Sequence, residues 1–177
     1  MEFWVPGKAA PKGSLQPGSG RAGRKLRESN DRTTPYREMV RDAAHRDMAA
    51  RGVAGTWHGA VRVQIIALFE PPTQSDAAAP TTRAVGDIDK ISRAVLDALQ
   101  DPRRTEGMKA IIPDSKLIND DAQVVDLIAL ERYGARYSAG TVVRVERLTD
   151  AELRNSGRGW GDYALHVVDE QITRWGR

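Results

Sequence analysis

Asp87-Ile88-Asp89-Lys90-Ile91-Ser92-Arg93-Ala94-Val95-Leu96-Asp97-Ala98-Leu99-Gln100 is the clearest periodic segment of the chain. Ile88, Ile91, Val95 and Leu99 recur at helical spacing, which marks a helix over 87–100. Asp87 stands where an N-cap belongs, and acid in the first turn suits the helix dipole. Upstream, residues 58–69 (HGAVRVQIIALF) alternate and then run apolar, as a strand does. Downstream, residues 122–133 (AQVVDLIALERY) and 141–148 (TVVRVERL) read as two more strands. Gly134 and Gly140 flank the connection between them, which suggests an antiparallel hairpin.

Farther out, Glu2-Phe3-Trp4-Val5 reads as a short strand stopped by Pro6-Gly7. Residues 8–34 form a long polar loop, too rich in Gly, Pro and Ser to pack, and loops of that length are usually functional or disordered. A helix is expected from Thr34 to about Arg51, with Thr34 as cap and Pro35 in the first turn. Its apolar face would be Tyr36, Met39, Val40, Ala43 and Ala44. Residues 70–86 and 101–117 are connecting loops, and Thr149-Asp150-Ala151-Glu152 starts a short helix. The order is β, loop, α, β, loop, α, loop, β, β. It predicts an α+β fold: a mixed, mainly antiparallel sheet packed by two main helices. At 177 residues the chain suits one domain. We place it at 1–150, with a basic flexible loop at 8–34 and a C-terminal extension at 151–177.

Composition narrows the function. No apolar run is long enough for a membrane span, and the first residues lack the apolar core of a secretory signal. The simplest reading is a cytoplasmic protein. With no cysteine, disulfides, Cys-based zinc sites and thiol nucleophiles are excluded. His45, His58 and His166 lie far apart, and no glycine-rich nucleotide motif is present. Net charge is +3 and the pI is about 9.4, but distribution says more. Lys8, Lys12, Arg21, Arg24, Lys25 and Arg27 lie in a stretch with no acid, whereas acids concentrate in residues 87–126. A basic arm with a separate acidic patch suits an enzyme that grips phosphates and holds a divalent metal.

The acidic patch is Asp87 and Asp89, then Asp120 and Asp121 after Asn119. Carboxylates gathered from two short segments are what Mg²⁺ chemistry needs, because magnesium prefers hard oxygen ligands. Two such ions about 3.5–4 Å apart can activate water and stabilise a leaving oxygen in phosphodiester cleavage. Ordinary roles compete. Asp87 could be only a cap, Asp89 and Arg93 an i,i+4 ion pair, and Asn119-Asp120-Asp121 a turn. Gln123 either positions a water or phosphate or faces solvent. Trp4, Tyr36 and Trp57 suit core packing better than base stacking. Arg37 lies off the apolar face of its helix and could reach DNA.

Two blocks together are more specific. The segment 87–99, followed by Leu117-Ile118-Asn119-Asp120-Asp121-Ala122-Gln123-Val124-Val125-Asp126, resembles the RusA family of Holliday junction resolvases. That family pairs a D-x-D-[NK]-[LI]-x-[KR]-x-x-x-D-A-L helix with a downstream D-D-x-Q-V. Residues 5–13 and Pro35-Tyr36-Arg37 are similar to phage-borne members. The resemblance spans roughly residues 3–148. It implies a homodimeric, Mg²⁺-dependent endodeoxyribonuclease, with Mn²⁺ as a substitute, that nicks two strands of a four-way junction symmetrically. Its acidic positions fall on Asp87, Asp89 and Asp121, with Asp120 beside them. The basic catalytic partner falls on Arg93, where the best-known pattern has Lys. Arg stays protonated and stabilises charge rather than donating a proton. Lys90, where the other pattern has Asn, is a second candidate. Lys8, Lys12, Arg21, Arg24, Lys25 and Arg37 would line the DNA path. The alternative is a non-catalytic DNA-binding module with a basic arm.

Overall fold

β4 (Val61–Phe69) is the organising strand: it is buried along nearly its whole length, as a run of Val, Ile, Leu and Phe with few polar breaks requires of a central strand. In the computed structural model, which describes residues 1–13, 15–17, 26–28, 30–72, 79–81, 86–102, 116–134 and 139–155, it has a neighbour on each edge. The elements in chain order are β1 (Glu2–Pro6), β2 (Leu15–Pro17), β3 (Leu26–Glu28), α1 (Thr33–Ala50), β4, α2 (Ile88–Gln100), a 3-10 turn (Asp121–Gln123), β5 (Val124–Tyr133), β6 (Gly140–Arg147) and α3 (Asp150–Asn155). The main sheet runs β1-β6-β4-β5. β1 and β4 each pair antiparallel with β6, and β4 pairs parallel with β5.

The fold is thus α+β with a mixed sheet, but the expected β5–β6 hairpin does not form. β4 lies between the two strands and bonds to both. Its two apolar faces and two free edges outweigh the short connection at 134–139. β5 reaches β4 through α2, the helical crossover that a parallel pair needs. Arg62 and Asp126 are in register across this pair and form an ion pair.

Odd-numbered β4 residues join α1, α2, β1 and β6 in the main core, while Ile66 and Leu68 pack with Val142, Trp4 and Leu130 on the opposite face. α1 buries Thr33, Tyr36, Val40, Ala43, Ala44 and Met48. Met39 is not on that face: it is exposed. Thr34 is not the cap either; Arg32 holds that position without a side-chain bond, and Asn30 and Thr33 instead bind the Pro11 carbonyl. α2 buries Ile91, Ala94, Val95, Ala98 and Leu99, whereas Ile88 points to solvent. At Thr149 the expected helix start is present: Glu152 bonds back to the Thr149 nitrogen, a capping-box arrangement.

Part of the segment expected to be unpackable is ordered. β2 and β3 pair antiparallel, and Ala9 and Ala10 are fully buried. No helix among the described residues is long and apolar enough to cross a membrane.

Tyr36 ties α1 to the sheet through a 2.8 Å hydrogen bond with the Thr141 hydroxyl. Burial pushes its phenol up from 10.0 to about 12. A raised folded-state value means the stability it contributes is complete below pH 10 and is lost as pH rises through 12. Tyr36→Phe leaves the buried Thr141 hydroxyl unpaired and is expected to cost about 1–2 kcal/mol at neutral pH. Urea midpoints at pH 7 and 11 check this: the variant should lose less on going alkaline than the parent does.

Candidate active site

The start of α2 is built by its neighbours. Gly86 has φ +104, and a Cβ there would meet the Pro11 ring at 2.8 Å, so only glycine lets the two segments approach this closely. The Lys12 nitrogen donates to the Lys90 carbonyl at 3.0 Å. Asp87 caps through its carbonyl, which accepts from Lys90 and Ile91; its carboxylate makes no capping bond. That carboxylate lies 2.7 Å from the Lys90 ammonium, which holds the Lys90 pKa above its ordinary value, the hydrogen bond being the main cause. Asp89 faces Arg93 at 3.5 Å. All four side chains are exposed, so each carboxylate can exchange its cation for another at little cost.

Asp120 and Asp121 stand elsewhere. Leu117 and Ile118 donate backbone bonds to the Leu99 carbonyl, which puts the following acids at the far end of α2. Asp87 starts that helix of 13 residues, about 20 Å long at 1.5 Å per residue. Accordingly, no three Asp, Glu, His or Cys side chains converge on a metal position among the described residues. The four aspartates expected to form one cluster form two pairs within a single chain.

The second pair is also uneven. Asp120 Oδ1 accepts from the Ala122 nitrogen at 2.8 Å and caps the 3-10 turn. Gln123 does not face solvent as a free side chain. Its Oε1 accepts from the Asn119 and Asp120 nitrogens at 2.7 and 3.0 Å, and its Nε2 donates to the Trp57 and Gly59 carbonyls at 3.1 and 2.8 Å. Gln123 therefore clamps the turn to the strand entry and leaves Asp121, exposed, as the carboxylate presented outward. Gln123→Ala is expected to cost about 2 kcal/mol, several bonds being lost from a half-buried site; a urea unfolding curve reads this directly.

Of the basic residues, Lys12 pairs with Asp97 at 2.7 Å, and Arg37 reaches Asp97 at 3.7 Å and Asp101 at 2.8 Å. These charges join α1, the segment after β1, and α2, which competes with a phosphate role. Lys8 is exposed. Arg21, Arg24 and Lys25 lie outside the described residues. The three aromatic side chains weighed for base stacking are in the core or against it: Tyr36 and Trp57 are buried, with Arg147 stacked 5.2 Å from the Trp57 ring centre, and Trp4 packs on the opposite sheet face.

One carboxylate drew no notice in the sequence. Glu131 lies on β5, and its Oε1 is buried with no hydrogen-bond partner. Burial, and then the charge of Asp87, push its carboxyl above the ordinary range. Hard carboxylate donors stand at both ends of α2, the kind of oxygen ligand a divalent cation takes, but among the described residues neither end gathers three of them.

The model of the family described as Endodeoxyribonuclease RusA matches residues 8–146 of the chain. No curated protein matches it.

Proposed function

The chain belongs to the RusA endodeoxyribonuclease family and is an endodeoxyribonuclease of the Holliday junction resolvase class; from that premise we propose that two copies join to cut four-way DNA junctions through shared, magnesium-holding sites. The observation that carries this reading is the separation of the two acidic pairs across the length of α2. A single chain has the right donors at two places and too few at either. A two-fold dimer repeats each end once, so Asp87 and Asp89 of one copy can meet Asp121 of a second copy twice over. A four-way junction has matching two-fold symmetry, which gives paired nicks.

Asp87, Asp89 and Asp121 would hold the metal. When bound, it supplies Lewis acidity at the scissile phosphate. Asp120 supports the turn. Arg93 and Lys90, once their carboxylates engage the metal, become cations beside the phosphate and stabilise the charge that develops there. Neither is suited to give up a proton near neutral pH: Arg stays charged, and a lysine ammonium ordinarily titrates far above neutrality, at about 10.4. Magnesium is the metal proposed, with manganese as a substitute. Lys8 and the residues of the basic arm would contact phosphates, which gives affinity and salt dependence rather than sequence choice. The unit proposed is one domain over 1–150, with residues 151–177 as an extension, in the cytoplasm of a bacterial host and of phage or prophage origin.

Cleavage of a synthetic four-way junction, followed with Mg²⁺, with Mn²⁺ and with EDTA, tests this reading. Symmetric nicks with either metal and intact junction in EDTA are expected. Cleavage that persists in EDTA contradicts it.

A further inference from the structure

We infer that the open edge of β5 is the surface through which two copies of the chain join, the two β5 strands pairing antiparallel about Ala129. The inference rests on the two-copy reading proposed above and says where the copies meet.

The two edges of the main sheet differ. β1 is short, ends on Pro6 and buries Phe3 and Val5, which are the marks of an edge protected against pairing. β5 is the other edge, and among the described residues β4 is its one neighbour. It is 10 residues long and largely apolar. Val125 and Leu127 lie on it, 56% and 45% exposed, the two most exposed large hydrophobics among the described residues. A long apolar edge of this kind is a template for another strand.

The strand is complementary to itself when it is turned around. The register with β4 shifts before Asp126, so the regular edge is 126–133. Antiparallel pairing about Ala129 sets Asp126 opposite Arg132 of a second copy and Ile128 opposite Leu130 of that copy. Opposite charges and apolar side chains so placed stabilise a sheet. Leu127 meets the methylene stem of Glu131, and the smallest side chain, Ala129, lies on the two-fold axis.

The same pairing brings the separated acids to one end. Asp121 lies just before β5. α2 is the crossover between the parallel strands β4 and β5, and its last turn meets Leu117 and Ile118 near the entry to β5. Its first turn, with Asp87 and Asp89, therefore lies toward the exit of β5. Reversing one β5 against another puts the entry of each beside the exit of its mate. Asp121 of one copy then stands at the same end as Asp87 and Asp89 of the other.

The test uses the full chain, which has no cysteine. Ala129→Cys and Val125→Cys are oxidised separately and run on non-reducing gels, and the parent is sedimented with and without junction DNA. Residues directly opposite in an antiparallel pair have Cα atoms about 4.5–5.5 Å apart, which a disulfide spans. Val125 would stand about 26 Å from its own counterpart. A dimeric parent, rapid cross-linking of Ala129→Cys and none of Val125→Cys are expected, although Val125 is the more exposed. A dimeric parent in which Ala129→Cys stays uncrosslinked, or in which Val125→Cys crosslinks as readily, overturns the edge pairing and leaves the two-copy reading standing. A parent that is monomeric under both conditions overturns the two-copy reading, and the edge pairing with it. Should Ala129→Cys fold poorly, Leu127→Asp decides: it sets a second acid against Glu131 across the pair, and the variant is expected to sediment as a monomer where the parent is a dimer. A Leu127→Asp protein as dimeric as the parent overturns the pairing.

Discussion

Asp89→Asn is expected to stop cleavage of a four-way junction while leaving the junction bound. The residue is exposed in the first turn of α2, and its ion pair among the described residues is with an exposed arginine, so the substitution removes little stability. It removes a hard anionic ligand from a site that needs its charge. The expected loss in cleavage rate is on the order of 10³-fold, or about 4 kcal/mol of transition-state stabilisation. Asp121→Asn should behave the same way. Asp120→Asn is the informative contrast: Asn is as good a cap as Asp, so the turn closed by Asp120 survives and cleavage should fall far less. Gel-shift affinity and nicking rate for the three variants separate binding from chemistry.

Gly140→Ala should be the most damaging single methyl group that can be added to the sheet. Gly140 opens β6 opposite Pro6, and a Cβ there would fall within the indole ring of Trp4. The ring is rigid and cannot yield at its edge; it must swing off the Ile66, Leu68 and Val142 cluster that it covers. Overpacking of this kind costs about 3 kcal/mol. A denaturant midpoint measures it. Trp4→Ala made together with Gly140→Ala should recover part of the loss, since the two changes share one contact and are not additive.

Much of the fold was legible from the chain alone, because periodicity reports burial. The spacing of Ile91, Val95 and Leu99 placed α2, and the apolar run of 61–69 placed β4. The pairing of strands was not legible. Gly134 and Gly140 signal a turn, but nothing local records that β4 needs neighbours on both edges and takes them from β5 and β6. The site shows the same division. The residue types and their two blocks could be read directly. That α2 holds the blocks about 20 Å apart is a fact of helix length and packing, which spacing in sequence does not convey. Gln123 looked like a surface side chain because its four partners are backbone groups, which sequence cannot reveal. Glu131 did leave a signal: once Ala129 and Tyr133 are assigned to the buried side of β5, an acid between them is out of place.

The account rests on sites completed by a second copy, and mixing two dead variants tests this most directly. Asp89→Asn and Asp121→Asn are prepared separately, combined under conditions that let subunits exchange, and assayed on a junction with Mg²⁺. Each mixed dimer has one site carrying both lesions and one site carrying none. Random exchange therefore restores roughly a quarter of the working sites, seen as nicking of one strand per junction. A mixture as inactive as either variant alone would mean that each chain builds its own site, and would contradict the shared arrangement.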